Sequence, residues 1–351
     1  QGARRRHRSA RQRPCAGPSY GRHRGLTKMP TASDVGNTLD IADIAADWRT
    51  RGFWGRICSF FAPTALAVLG NRSMFAHENA EITTLIRSYW GTLSCSKKSF
   101  DPSQLRITKL CQHIAGQDTK VLFLATYGDA MLCVLKSMRS TSYDQKLRQE
   151  KKAQEQIGIV APRVYFEGMF REAYIYAEEV FEGAPLSRAE ALKKEKEVLQ
   201  AVASFPVSGE ISSRSIAGLL ASRVPPEDLH FAPLIDTLLK SNVTLRTGIA
   251  HGDLGRPNIL FDGSSLCCID WERTGEQPFH RLDAVYFMTR LHHIRTQEEW
   301  NARALAVFMQ STGAAKEEGE ALFALLMCYL RLKRKYPGHY RGVVEAVLKI
   351  I

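Results

Sequence analysis

Long apolar runs are missing from this sequence. The best candidate, ICSFFAPTALAVLG at residues 57–70, has 14 residues and contains Pro63. A transmembrane helix needs about 20 predominantly apolar residues. We therefore expect a buried or interfacial segment here and no stable membrane span.

Paired cysteine motifs are also missing. No CxxC occurs, and no histidine stands at zinc-ligand spacing from a cysteine. Scattered cysteines of this kind are typical of reduced, buried thiols. We therefore expect a cytoplasmic protein without disulfides. The eight cysteines are Cys15, Cys58, Cys95, Cys111, Cys133, Cys267, Cys268 and Cys328.

Acidic residues are absent from residues 1–28, which hold eight Arg and one Lys and so account for nine of the twelve net positive charges. The segment has almost no apolar residues with which to form an amphipathic face. We expect a disordered basic tail over residues 1–37. Targeting, nucleic-acid contact and a physiological start at Met29 are the alternatives. Because the rest of the chain is close to neutral, no nucleic-acid partner is expected.

The remaining chain divides by its hydrophobic pattern. Residues 38–103 show helical periodicity and predict a helical extension. Residues 104–179 hold short segments rich in β-formers, such as KVLFLATY and AMLCVLK, separated by turn residues. Residues 180–351 are mostly helical. The sequence thus predicts an α+β, bilobal fold with a small antiparallel sheet before a larger helical lobe.

The candidate catalytic and metal-binding residues lie in HGDLGRPNILFDGSSLCCIDWE, residues 251–272. Asp253 and Asn258 share one loop, and Asp270 ends the apolar segment LCCID. A hairpin returning from Asn258 would carry Asp270 back beside that loop. Carboxylate and amide oxygens suit Mg²⁺, and a separate carboxylate can orient an attacking hydroxyl. This is the division of labour that phosphoryl transfer requires.

HGDLGRPNIL followed by CIDWE resembles the signature of the aminoglycoside phosphotransferase and choline kinase group, within the protein-kinase-like superfamily. The resemblance implies that Asp253 is the catalytic base and that Asn258 and Asp270 hold Mg²⁺. His251 would support the loop. Asp283 matches the residue that braces the catalytic loop in the family, although a plain helix N-cap is the simpler interpretation.

The resemblance extends to the predicted sheet. Lys136 ends a strand, where the superfamily's ATP-binding lysine stands. Glu150 in the next helix is its expected ion-pair partner, with Glu155 as the alternative.

Two further segments complete the implied ATP site. AEEVFEGAPL, residues 177–186, resembles the segment between the lobes, where backbone groups near Glu179 and Val180 would face adenine. Gly116 lies where a phosphate-covering turn is expected.

One position departs from the family pattern. Relatives usually read HGDLHPGN or HGDLKPxN, whereas this chain has Gly255 where His or Lys stands. Arg256, one place on, is our candidate for the missing positive charge on the transferred phosphate. Reduced activity is the alternative.

The acceptor is expected to be a small molecule of the sugar, glycan or amino alcohol type. Gly252 stands where protein kinases carry an Arg, and only 12 residues separate Asp270 from Asp283, too few for a peptide platform. Residues 284–351 hold ten Lys and Arg against six Glu, which favours a neutral or anionic acceptor over a cationic one. A pseudokinase scaffold and a protein kinase are the alternatives. The oligomeric state is left open.

Overall fold

The computed structural model describes residues 72–93, 99–115, 118–128, 130–139, 141–157, 160–170, 173–275 and 278–350. All of them belong to one compact unit. The predictions for the basic tail and for residues 38–71 lie outside the described residues. Within the described part of the helical extension, the chain forms α1 and α2, at Arg72–Ser88 and Trp90–Leu93.

A five-stranded antiparallel sheet follows, in the spatial order β1-β2-β3-β5-β4. Side chains alternate along its strands, as a period of two residues requires. Val121, Phe123 and Ala125 of the second strand are buried against Ile82 and Ile86 of α1. The strands are β1 Leu105–Ala115, β2 Asp118–Tyr127, β3 Ala130–Arg139, β4 Val164–Phe170 and β5 Ala173–Glu178.

One helix, α3 (Thr141–Ile157), connects β3 to β4. Its Leu147 packs with Tyr174 and Tyr176 of β5. Because strand side chains alternate, these tyrosines point away from the face that α1 covers. The helix therefore covers the second face of the sheet and brings its polar residues next to β3 and β5.

The chain after β5 is mainly helical and holds the largest apolar core, which includes Trp271, Phe287, Trp300 and Phe323. Its helices are α4 Arg188–Lys193, α5 Glu195–Ala203, α6 Ser213–Arg223, α7 Ala232–Ser241, α8 Leu282–His292, α9 Gln297–Arg303, α10 Leu305–Thr312, α11 Lys316–Lys335 and α12 Pro337–Ile350. Its strands are β6 Ala184–Pro185, β7 Val207–Ser212, β8 Thr244–Gly248, β9 Ile259–Phe261 and β10 Leu266–Cys268.

These elements confirm the predicted α+β class, with an antiparallel sheet before a helical region. One detail differs from the sequence analysis, which predicts a mostly helical chain after residue 179. Strand β7 pairs antiparallel with β8, and β7 was not predicted. In β7, Ile211 alone is buried, so the sequence lacks the alternation that marks a strand.

The predictions about cysteines and about membrane spans can be compared with the described residues. Cys133, Cys267, Cys268 and Cys328 are buried free thiols, and burial raises the pKa of each above its ordinary value. In the part of the chain that the structure describes, no helix combines the length and apolar character needed to cross a membrane.

Candidate active site

A short hairpin brings the two predicted metal ligands together. β9 and β10 pair antiparallel, with Cys268 opposite Ile259. The amide of Ile269 then donates to the Asn258 carbonyl over 2.9 Å. Asp270 is the next residue, so it returns beside Asn258 as the spacing predicts. Asp270 itself has a φ of 66°, in the left-handed region, which turns the chain immediately after the hairpin.

His251 links the two sides of this hairpin. Its Nε2 lies 2.8 Å from the Ile269 carbonyl, and the amide of Asp253 donates to its Nδ1 over 3.3 Å. These bonds fit the neutral tautomer with the proton on Nε2. The ring is buried, 4.6 Å from Trp271 between centroids. His251 therefore ties the backbone of Asp253 to the residue that precedes Asp270.

Asp283 braces the loop from α8. Its carboxylate accepts from the amide of His251 over 2.5 Å and from the amide of Gly252 over 2.9 Å. The N-cap of α8 is Arg281, so the plain N-cap interpretation of Asp283 is wrong. Asp283 is buried, and burial raises the pKa of its carboxyl. Two backbone donors nevertheless bind the carboxylate and hold the turn that precedes Asp253.

Both carboxylate oxygens of Asp253 have a partner. The Tyr286 hydroxyl donates to Oδ1 over 2.9 Å, and Nη1 of Arg273 lies 3.5 Å from Oδ2. Asn258 Nδ2 donates to the Asp253 carbonyl over 3.0 Å. The Asp253 carboxylate is therefore oriented by a neutral donor and a cation, and its backbone is held by Asn258.

The two loop glycines differ in what surrounds them. Gly252 has a φ of 80°, and a Cβ there would lie 2.5 Å from the Arg273 carbonyl oxygen. A Cβ on Gly255 would lie 3.5 Å from Cδ of Pro257, an ordinary contact. The backbone therefore requires glycine at 252 but not at 255.

A buried charge cluster lies in the sheet. Lys136 Nζ is 2.6 Å from Glu150 Oε1, so the expected ion pair is present, and 3.0 Å from Glu178 Oε2. All three side chains are at most 6% exposed. Gln154 Nε2 donates to Glu178 Oε2 over 2.9 Å. One buried lysine thus faces two buried carboxylates.

Glu178 was not predicted as a member of the site. It ends β5, and it shares one face of that strand with Tyr174 and Tyr176 because side chains alternate. Burial raises the pKa of its carboxyl, with Glu150 adding to the effect and Lys136 opposing it. The alternation in AYIYAE is the signal that could have placed Glu178 beside the lysine.

The buried cluster and the hairpin are close enough for their charges to act on each other's side chains. The charges of Lys136 and Glu178 act on the Cys267 thiol of β10, and the charge of Asp270 acts on the Tyr176 hydroxyl. The amide of Cys268 also donates to the Val160 carbonyl, which follows α3, over 2.6 Å. The predicted phosphate-binding lysine and the predicted metal ligands therefore belong to neighbouring parts of the fold.

Three other residues considered in the sequence analysis are Glu155, Arg256 and Gly116. Glu155 is half-exposed and pairs with Lys151 at 3.3 Å, so it is not the partner of Lys136. Arg256 Nη1 donates to the Leu186 carbonyl at 3.4 Å, and within the described part of the chain no bond joins it to Asp253. Gly116 lies outside the described residues.

The segment after β5 carries the two residues that were predicted to face adenine. The amide of Glu179 already donates to the Arg163 carbonyl over 2.8 Å. Glu179 is exposed and Val180 is half-buried. Only part of the backbone that was predicted to face adenine therefore remains for a ligand.

The donor set fits Mg²⁺. Among the described residues, no group of three or more His, Cys, Asp or Glu side chains is placed to hold a metal ion. Mg²⁺ is commonly bound by one or two protein oxygens together with phosphates and water. One carboxylate from Asp270 and one amide oxygen from Asn258 meet that requirement.

Tyr286 and Arg273 were also missed by the sequence analysis. Tyr286 lies three residues after Asp283, on the same side of α8, and this spacing could have indicated that it faces the same loop. Arg273 follows the hairpin in a turn, where no periodicity predicts the direction of a side chain.

Comparison with protein families supports the motif. Residues 210–317 match the model of a phosphotransferase enzyme family, the APH family. The matched range contains HGDLGRPNIL, CIDWE and Asp283. The resemblance on which the sequence analysis relied is therefore confirmed over this part of the chain. No curated protein matches the chain.

Solved structures with a similar course of the chain share little sequence with it. A thermostable mutant of aminoglycoside phosphotransferase APH(4)-Ia has 15% identity, covering 70% of this chain and 94% of its own, with a TM-score of 0.38. Aminoglycoside phosphotransferase APH(3'')-Id from Streptomyces rimosus has 17% identity, 71% and 98% coverage and a TM-score of 0.41. An ethanolamine kinase from Plasmodium vivax has 15% identity, 76% and 88% coverage and a TM-score of 0.39. Scores this low are not a basis for assigning function.

Proposed function

We propose that this chain is an ATP-dependent phosphotransferase that moves the γ-phosphate to a hydroxyl of a small molecule. The observation that carries the proposal is the hairpin that returns Asp270 beside Asn258, whose side chain in turn binds the backbone of Asp253. His251 and Asp283 hold the Asp253 loop through hydrogen bonds, and the charge of the buried Lys136 acts on Cys267 of the same hairpin. The family match over residues 210–317 agrees with this chemistry.

The proposed transfer forms one bond to phosphorus and breaks another. The acceptor hydroxyl oxygen forms a bond to the γ-phosphorus, and the bond between that phosphorus and the β,γ-bridging oxygen breaks, leaving its electron pair on ADP. The hydroxyl proton passes to the Asp253 carboxylate. Positioning and charge neutralisation supply most of the catalysis in such reactions.

The remaining roles follow from the chemistry of each group. Lys136 would bind the α- and β-phosphates once the nucleotide competes for its ammonium group with the two glutamates. Asn258 and Asp270 would hold Mg²⁺, whose positive charge neutralises the phosphates. Arg256 would need to leave the Leu186 carbonyl before it could contact the transferred phosphate.

The nucleotide base would lie beside the segment after β5. Because the Glu179 amide is already bonded, the Glu179 carbonyl and the Val180 amide are the groups that we assign to adenine. Gly116 would lie in the turn over the phosphates. We also propose a cytoplasmic location, which buried reduced thiols favour.

The acceptor is proposed to be a small molecule because the segment between Asp270 and Asp283 is short. Gly252 adds a physical reason, since any side chain there would meet the Arg273 carbonyl. An arginine that reads a phosphorylated peptide segment cannot occupy this position in the present backbone.

Substitution of the base provides the test. Asp253→Asn should lower transfer from ATP by about 100- to 10,000-fold, the usual contribution of a general base. Because Asn258 and Lys136 are unaltered, Mg²⁺-ATP binding measured by calorimetry should stay within about twofold. Radiolabelled ATP and a library of hydroxylated metabolites measure the transfer.

Three results would contradict the proposal. Wild-type protein that gains no thermal stability from ATP with Mg²⁺ is not a kinase of this type. Protein that binds Mg²⁺-ATP but transfers phosphate to no metabolite would favour the pseudokinase interpretation. Transfer to generic protein alone would favour a protein kinase.

A further inference from the structure

A partly exposed arginine lies beside the Asp253 carboxylate. Arg273 lies on one carboxylate oxygen at 3.5 Å, with 39% of its side chain exposed, and 35% of the Asp253 side chain is exposed. Tyr286 lies on the other oxygen at 2.9 Å. An approaching ligand therefore meets a guanidinium group and a phenol next to the base.

A second arginine adds to this charge. Arg290 is exposed and stands four residues after Tyr286 on α8, so the two side chains lie on the same face of the helix. Burial and the Asp253 carboxylate raise the pKa of the Tyr286 hydroxyl to about 12, while Arg290 and Arg273 act in the opposite direction. Both guanidinium groups are thus close enough to influence the same hydroxyl.

Resting on the proposed function, we infer that the acceptor carries a phosphate or carboxylate group besides its hydroxyl, and that Arg273 and Arg290 bind this anion beside Asp253. A cationic acceptor would approach two like charges, which disfavours its binding. A neutral acceptor would leave both arginines without a role in recognition. Planar guanidinium groups match the oxygens of phosphate and carboxylate.

A bound anion could replace Asp253 as the partner of Arg273. At 3.5 Å and with both partners more than a third exposed, the pair with Asp253 is weak. An anion bound between the two arginines draws the Arg273 guanidinium away from Oδ2. The oxygen then becomes available to the acceptor hydroxyl, while Tyr286 keeps the carboxylate oriented through Oδ1.

The same arginines would also suit the γ-phosphate of the nucleotide, so the test must separate the two anions. Calorimetry is performed on protein saturated with Mg²⁺ and a non-hydrolysable ATP analogue, which fills the nucleotide site. The titrants are inorganic phosphate and four sugars with similar hydroxyls: glucose 6-phosphate, glucuronate, glucose and glucosamine. Transfer from ATP to each sugar is measured in parallel.

The anionic titrants are expected to bind, and glucose and glucosamine to bind at least about 10-fold more weakly. Arg273→Gln and Arg290→Gln should each weaken anion binding about 10-fold, the effect of one charge-assisted hydrogen bond. Arg214→Gln, which changes an exposed arginine of α6, is the matched control and should bind as the wild type does.

Each contrary result has one meaning. Tighter binding of glucosamine, no binding of any anionic titrant to the wild type, or unchanged binding in both arginine variants overturns the inference. Weaker binding of the ATP analogue in those variants, with anion binding unchanged, assigns the arginines to the nucleotide and also overturns it. Failure of the wild type to bind the analogue is seen before any titrant is added and contradicts the proposed function instead.

Discussion

The Asp253 loop and the Lys136 cluster place charges in opposite ways. Asp253 is about one-third exposed, and its loop is held mainly by bonds to backbone groups, from Asn258, His251 and Asp283. Lys136 is buried, and the carboxylates of Glu150 and Glu178 bind its ammonium group. The first arrangement fixes where a carboxylate points while leaving it accessible. The second removes three charges from water.

This difference predicts which substitutions change activity and which change folding. A charge removed from an exposed carboxylate costs little stability, because water replaces its partner. A charge removed from a buried set leaves other buried charges uncompensated. Substitutions in the loop should therefore act mainly on turnover, and substitutions in the cluster should act on the free energy of unfolding as well.

The largest expected effect is that of Lys136→Met. It leaves Glu150 and Glu178 buried without a cation, and we expect the free energy of unfolding to fall by about 3–5 kcal/mol. Urea denaturation followed by tryptophan fluorescence measures the change. The double variant Lys136→Met/Glu178→Gln should recover part of the loss. A single variant as stable as the wild type would show that the cluster is not buried as described.

A substitution in the loop should cost less stability. Gly252→Ala places a Cβ 2.5 Å from the Arg273 carbonyl at a φ of 80°, and we expect it to lower the free energy of unfolding by about 1–3 kcal/mol. Gly255→Ala is the matched control and should stay within about 0.5 kcal/mol of the wild type. Equal effects of the two substitutions would contradict the geometry of the loop. Thermal denaturation measures both.

The smallest effect concerns pH. Because burial raises the pKa of Glu178, the folded protein keeps this proton after the unfolded chain has lost it. The contribution of Glu178 to stability is therefore full at acidic pH and is lost as pH rises above the ordinary carboxyl range. When the pH is raised from about 5 to about 7.5, the stability of Glu178→Gln relative to that of the wild type should increase. Thermal unfolding at both pH values measures the gain, and a relative loss would mean that Lys136 dominates.

The sequence predicts the loop better than it predicts the cluster. His251, Asp253, Asn258 and Asp270 lie within 20 residues, and the turn residues between them leave one plausible hairpin. The structure brings them together as that hairpin requires. Their assigned functions in metal binding and proton transfer are still predictions.

Contacts between distant elements were harder to predict. Glu178 meets Lys136 because β3 and β5 are neighbours, with Lys136 opposite Tyr176. That neighbour relation depends on the order of the strands in the sheet, which the sequence pattern does not specify. Tyr286 and Arg273 reach Asp253 in the same manner, through the packing of α8 and a turn against the loop.

Gly252 also bears on how such a protein could change over generations. A single base change converts any glycine codon into an arginine codon, yet here the Cβ of an arginine at 252 would collide with the Arg273 carbonyl. The backbone after Asp270 would have to be rebuilt first. A chain with this turn would therefore need at least two changes, one in the turn and one at Gly252, before an arginine could stand next to the base.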